Sequence, residues 1–175
     1  MIINRAIVIP DQHFPIHDRK AVKVVLKAID LIKPDIFINL GDVGEWSSVS
    51  GHKYKRRKRP PLEYQLPEIE KEIKAVNKQI DRFDEALEKN PYLDKYTFRN
   101  ACKWDSRGYI YKKYNEVLTI GKLSFIHGAY TGNHTRTHLT RYLCNIMYGH
   151  VHDVGRLSGT SLAGNINAWA MGCLK

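Results

Sequence analysis

Apolar and polar positions alternate between two spacings along this chain. Short apolar runs occupy Ala6-Ile7-Val8-Ile9-Pro10, Asp35-Ile36-Phe37-Ile38-Asn39-Leu40-Gly41, Leu123-Ser124-Phe125-Ile126 and Asn145-Ile146-Met147-Tyr148-Gly149. Runs of this length and composition read as buried strands. Between the first two, Ala21, Val24, Val25, Ala28, Ile29 and Ile32 recur at helical spacing and stop before Pro34. Ile69, Ile73, Val76, Ile80, Phe83 and Leu87 predict a second, longer helix over 67–89, with Pro67 suited to its first position. Residues 2–10 and 36–40 are expected strands, and Tyr96-Thr97-Phe98 a short one. Residues 116–120 and 122–126 predict a hairpin about Gly121. Residues 135–142 predict a helix, and 153–157 and 166–171 closing strands. Strands alternating with helices early, and mostly strands late, predict an α/β fold with helices flanking sheets.

Each of the four apolar runs stops at a residue able to hold a metal. The first meets Asp11 with His13 two residues on, the second Asp42, the third His127, and the fourth His150 with His152 two residues on. In open α/β sheets, ligands bind beyond the carboxyl ends of strands. Two carboxylates and four imidazoles gathered on one such edge form a mixed O/N set suited to one or two transition metals. Alone, an Asp at a strand end is usually a turn or cap residue, and a lone His is usually packed. The repetition of the pattern at four run ends outweighs those readings.

The order Asp-x-His, Gly-Asp, His, Gly-His-x-His resembles the calcineurin-like metallophosphoesterases, over Asp11 to His152. The resemblance implies a four-layer α/β/β/α sandwich and hydrolysis of phosphoesters at a two-metal centre. It implies one metal held by Asp11, His13, Asp42 and His152 and a second held by Asp42, an Asn, His127 and His150, with Asp42 shared. The metals expected are manganese, iron or zinc. The family's Gly-Asn-His-Asp/Glu motif is degenerate here: it falls on Arg99-Asn100-Ala101-Cys102. Asn100 remains as the Asn ligand. Ala101 stands where the family has its general-acid His, a loss worth typically 10²–10⁴-fold. Diesters and activated esters are therefore the expected substrates. The string Gly132-Asn133-His134-Thr135 follows His127 instead of preceding it, so it is not that motif, and His134 is kept only as a stand-in acid. His138, four residues on, is expected on the surface. His17, His52, Tyr109, Tyr111 and Tyr114 read as structural, and Cys102 as a buried small hydrophobe.

Composition refines this picture modestly. The 175 residues suit one domain over 1–175, and 43% hydrophobic residues suffice for a core. No apolar stretch approaches the roughly 20 residues of a membrane span. The N-terminal residues lack signal-peptide architecture. Cys102, Cys144 and Cys173 form no Cys-x-x-Cys pair, which fits a reducing cytoplasm, that of a bacterium or of a phage-infected host given the small bacterial and phage proteins it resembles. A net charge of +10 favours anionic partners. Six cations, Lys53, Lys55, Arg56, Arg57, Lys58 and Arg59, crowd one loop after the Asp42 turn. They suit a nucleic-acid backbone or another polyanion, with Trp46 and Tyr54 as base-stacking candidates. Two alternatives to the hydrolase therefore stand: an inactive binding module on the same fold, motivated by Ala101, and a nuclease or repair factor, motivated by the basic loop. No oligomeric state is expected from the sequence.

Overall fold

The computed structural model describes residues 4–50, 53–88, 94–96, 109–110, 112–113 and 115–174. It is a mixed α/β fold with three helices and two sheets among the described residues. Strand β1 (Ala6–Ile9) leads to α1 (Arg19–Ile32), β2 (Ile36–Asn39) and α2 (Leu62–Glu88). Strands β3 (Asp94–Tyr96), β4 (Tyr109–Ile110), β5 (Leu118–Ile120) and β6 (Leu123–Ile126) follow, then α3 (His134–Tyr142), β7 (Asn145–Tyr148), β8 (Val154–Ser161) and β9 (Gly164–Met171).

The first sheet runs β1-β2-β3-β4, all parallel. The second runs β5-β6-β7-β9-β8, with β6, β7 and β9 parallel and antiparallel strands at both edges. Alternation along the strands sorts their side chains into three clusters. Ile9 and Phe37 face Val22 and Ile29 of α1 and Val76, Ile80, Phe83 and Leu87 of α2. Ile36, Ile38 and Val8 turn the other way and meet Phe125, Leu123, Met147 and Met171 of the second sheet. Ile126, Ile146, Tyr148, Ala168 and Ala170 on the far side of that sheet pack with Leu139 of α3.

Helix α1 begins two residues before its apolar spacing does, because Asp18 caps it: Oδ1 accepts from the Lys20 amide at 2.7 Å. Lys33 ends it in the left-handed conformation, one residue before Pro34. Helix α2 differs from expectation more. It starts at Leu62, so Pro67 sits inside it instead of opening it. The missing Pro67 amide costs one bond near the helix start, where few have yet formed. Gln65 Nε2 donates to the Pro60 carbonyl at 2.6 Å and ties the early start to the preceding loop.

The hairpin about Gly121 forms as expected, with Gly121 at φ 59° in a two-residue turn. The closing strands are longer than their apolar spacing suggests, pairing continuously from Val154↔Met171 to Ser161↔Gly164. The expected strand at 96–98 overlaps β3 at Tyr96, and its other residues lie outside the described set. Among the described residues no helix is long and apolar enough to cross a membrane.

Candidate metal centre

Parallel pairing sets the position of the site. In β1‖β2 and in β6‖β7 the chain leaves both strands at the same sheet edge. Residues following four strand ends therefore converge from two sheets. The hydrogen bonds beyond the strands keep them together. His13 and Phe14 amides donate to the Asp42 and Val43 carbonyls at 2.9 and 2.8 Å, extending the β1–β2 pairing into the loops. The Gly149 amide donates to the His127 carbonyl at 2.9 Å and does the same for β6 and β7. Across the sheets, the His150 amide donates to Asp11 Oδ2 at 2.7 Å. The Leu174 amide donates to the Asp11 carbonyl at 2.8 Å, so the C-terminal segment braces that loop.

The two strand-end pairs separated by one residue pose a geometric problem. Their members must converge while the chain turns. His13, Asp42, His150 and His152 all take positive φ, at 50°, 42°, 71° and 59°. Asp and His tolerate this region better than most residues. Four such residues in one site still cost roughly 1–3 kcal/mol each, a concentration typical of functional loops. Two glycines make room. A Cβ on Gly41, itself at φ 131°, would stand 2.5 Å from His127 Nδ1. A Cβ on Gly149 would stand 2.6 Å from Asp11 Oδ1.

Asp11, His13, Asp42 and His152 form one group of donor atoms, and Asp42, His127 and His150 a second, each within 4.8 Å mutual distance. Asp42 belongs to both. His13 Nε2 and His152 Nε2 lie 2.9 Å apart. His152 Nε2 is 3.4 Å from Asp11 Oδ2, and His127 Nε2 3.6 Å from Asp42 Oδ2. His13 Nε2 is 4.0 Å from that same Asp42 oxygen. Donors bound at about 2.1 Å to one ion at tetrahedral or octahedral angles stand about 3.0–3.4 Å from each other. The His13–His152 and His152–Asp11 separations match that spacing, and the two to Asp42 Oδ2 are 0.2–0.6 Å wider.

The electrostatics agree with a cation at this place. Asp11 is wholly buried, and its Oδ1 has no hydrogen-bond partner. Burial, with Asp42's charge beside it, pushes its carboxyl up to about 6. An orphaned buried carboxylate oxygen facing imidazoles is a costly arrangement that a bound cation relieves. The donor set of hard oxygens and borderline imidazoles fits a divalent transition metal.

Supporting groups aim the imidazoles. His127 Nδ1 lies 3.0 Å from the Leu40 carbonyl, which only accepts, so Nδ1 carries the hydrogen. The lone pair of the neutral ring is then on Nε2, toward Asp42. His13 Nδ1 lies 2.9 Å from Glu45 Oε2, the carboxylate–histidine arrangement that orients metal ligands. Glu45 carries no recognisable sequence signal beyond lying three residues after Asp42. Helix α2 holds the loop that bears both: Glu72 accepts from the Ser47 hydroxyl at 3.0 Å and the Ser48 amide at 3.2 Å, and from the Ser48 hydroxyl. Gln12 and Asn39 lock the two loops beneath, with Asn39 Nδ2 donating to Gln12 Oε1 at 2.7 Å and Asn39 Oδ1 accepting from Gly41.

The six described ligand candidates, Asp11, His13, Asp42, His127, His150 and His152, are thus brought together. Asn100, Ala101 and Cys102 lie outside the described residues. His134 joins neither donor group; its Nδ1 lies 2.7 Å from the Tyr148 hydroxyl. His138 is not on the surface as its spacing suggested. It is fully buried, stacked on Tyr148 with ring centroids 3.8 Å apart, and its Nδ1 donates to the His134 carbonyl at 2.7 Å. Burial lowers its pKa, which keeps the ring neutral. The basic loop is exposed. Tyr54 and Trp46 are both half-buried, Tyr54 with Lys53 and Arg59 at 5.7 and 5.5 Å from its ring and Trp46 packed against the helical core.

No family model matches this sequence, and no curated protein matches it. Among solved structures it is similar to YfcE, a phosphoesterase from E. coli, at 16% identity and a TM-score of 0.45, over 98% of this chain and 80% of that one.

Proposed function

We propose that this chain is a divalent-metal-dependent phosphoester hydrolase with a two-metal centre, acting on phosphodiesters or on esters with good leaving groups. The observation that carries the reading is the pair of donor groups joined through Asp42 at the strand ends. One metal is assigned to Asp11, His13, Asp42 and His152, the other to Asp42, His127, His150 and Asn100. Manganese is the proposed metal, and the donor chemistry also admits iron or zinc. The stacking of helices, two sheets and helix is read as a four-layer α/β/β/α sandwich formed by a single domain. A reducing cytoplasm is the proposed compartment.

Metals at such a centre neutralise charge on the phosphoryl oxygens and activate water. The chain's own residues do the rest. The His150 amide holds Asp11 Oδ2 while leaving Oδ1 free of competing hydrogen bonds. Leu40 and Glu45 fix the rings of His127 and His13 so that each presents one nitrogen inward. Ala101 supplies no proton to a leaving group, which favours esters with good leaving groups. His134 is the proposed substitute. Burial holds the Tyr148 phenol well above its ordinary pKa, so it stays an O–H, and its oxygen lies 2.7 Å from His134 Nδ1.

The test is metal stoichiometry with turnover. The unaltered protein should bind two Mn²⁺ per chain by calorimetry and hydrolyse bis-p-nitrophenyl phosphate faster than p-nitrophenyl phosphate. Ala101→His should raise the rate on the monoester, and His134→Asn should lower it on both. A protein that takes up no metal and turns over neither ester is a binding module instead.

A further inference from the structure

The metal centre leaves the most strongly charged feature of the molecule unused. Six cations lie within seven residues, Lys53 to Arg59, and all six are exposed. They are a large part of the net charge of +10. Two of them are committed structurally. Arg59 Nη2 donates to the Val49 carbonyl at 3.2 Å, and Arg59 and Lys53 flank the Tyr54 ring. The side chains of Lys55, Arg56, Arg57 and Lys58 have no hydrogen bond, ion pair or ring contact among the described residues. Four like charges held unpaired in one loop repel one another, an arrangement that a polyanion relieves.

The loop is anchored, and its anchors lead to the metal centre. Pro60 is held by Gln65, and Arg59 is held to Val49. The Val49 and Ser50 amides fold back onto the Trp46 carbonyl at 3.1 and 2.9 Å, and Ser47 and Ser48 are clamped by Glu72. Arg59, at the end of the cationic segment, is thus tied to Val49, at the end of the segment that bears Asp42 and Glu45. Just beyond it, on the first turn of α2, Tyr64 is 67% exposed. A basic track ending at an exposed aromatic ring is the pairing that binds single-stranded nucleic acid: cations follow the phosphates and the ring stacks a base. Neighbouring Leu62 and Leu66 are also exposed, which makes an anionic lipid surface the competing class. The exposed ring of Tyr64, able to stack a base, favours the nucleic acid.

The geometry points to Lys55, Arg56, Arg57, Lys58 and Tyr64 as a docking track for single-stranded nucleic acid beside the metal centre. Its use to deliver a phosphodiester for cleavage rests on the hydrolase reading; the docking itself does not.

Binding of a labelled oligonucleotide to the metal-free full chain, followed by fluorescence anisotropy across a salt series, is the experiment. Four phosphate contacts predict a slope of log K against log salt of about −3 for a single strand. Replacing the four cations together (Lys55→Gln, Arg56→Gln, Arg57→Gln, Lys58→Gln) should flatten the slope toward zero, with an unchanged circular dichroism spectrum. Tyr64→Ala should weaken single-strand binding roughly five-fold or more without changing the slope. Binding that is independent of salt, unchanged in both variants, confined to duplex, or confined to phosphatidylserine vesicles overturns the assignment. Mn²⁺-dependent hydrolysis of bis-p-nitrophenyl phosphate by the unaltered chain reports on the centre separately. Turnover without DNA binding removes the track alone, and DNA binding without turnover removes the hydrolase alone.

Discussion

Asp11→Asn should change stability in opposite directions with and without metal. Asp11 is fully buried, and its carboxyl is pushed from 3.8 up to about 6, first by burial and then by Asp42. A folded-state pKa above the unfolded value means that the folded protein binds the proton more tightly. In metal-free protein this group's contribution therefore falls as pH rises from 3.8 through about 6, and the full penalty applies above that. A shift of about 2 units corresponds to about 3 kcal/mol. Asparagine removes the charge at little geometric cost. Its oxygen still accepts from the His150 amide, and its NH2 group replaces Oδ1 and is likewise left without a partner, an offset that makes the charge term the upper limit of the gain. Metal-free Asp11→Asn should thus be more stable than the parent at pH 7 by up to about 3 kcal/mol. For a chain of this size, that is about 6–12 °C in Tm. The gain should disappear below about pH 4, where the parent's carboxyl is protonated in both states. With metal the order reverses. A ligand at 1,000 times its Kd stabilises by about 4.1 kcal/mol, more than the metal-free gain of about 3, and the variant, lacking an anionic ligand, should lose most of that increment. Urea unfolding with EDTA and with Mn²⁺, at pH 4 and pH 7, reads all four values. A metal-free variant less stable than the parent at pH 7, or an undiminished metal increment, would refute the reasoning.

Three further outcomes follow from the same contacts. Glu45→Gln should weaken Mn²⁺ binding about 10–100-fold by calorimetry, because His13 loses the carboxylate that orients it, with little change in metal-free stability. Gly41→Ala should abolish binding at the second metal and destabilise the fold, since its Cβ would meet His127 Nδ1 at 2.5 Å from a backbone at φ 131°; a parent-like titration would count against the packing described. Glu72→Ala strips three hydrogen bonds from Ser47 and Ser48 and should lower stability by about 1–3 kcal/mol in urea unfolding while reducing metal affinity through the loosened Asp42 loop.

Much of the site was legible because its signal is local. A buried strand followed at once by Asp or His needs only a few residues to be recognised, and parallel pairing then delivers the ends of β1, β2, β6 and β7 to a common edge. The orienting partners were not legible. Leu40 acts through its backbone carbonyl, and Glu45 acts across a turn whose path depends on positive φ at Asp42 and Trp46. His138 was misread for a related reason. In His134–Tyr142 polar residues outnumber apolar ones, so the buried face shows little hydrophobic spacing. That face is built from ring stacking, His138 between Tyr148 and Tyr142, with Leu139 the apolar member. The early start of α2 escaped the sequence because Leu62, Tyr64 and Leu66 are exposed and Pro67 suggests a beginning. The long β8–β9 hairpin escaped it because half of β8 faces solvent, with Val, Arg, Ser and Thr, and the other face carries two Gly and a Ser beside its one Leu.

The central claim is that Asp42 joins two metals into one hydrolytic centre. Mn²⁺-dependent hydrolysis of bis-p-nitrophenyl phosphate by the parent and by Asp42→Asn, with bound metal counted on the same samples, tests it most directly. The account predicts two ions and turnover in the parent, and at most one ion and no turnover in the variant. Turnover that persists in Asp42→Asn, or that proceeds equally in EDTA, would contradict it.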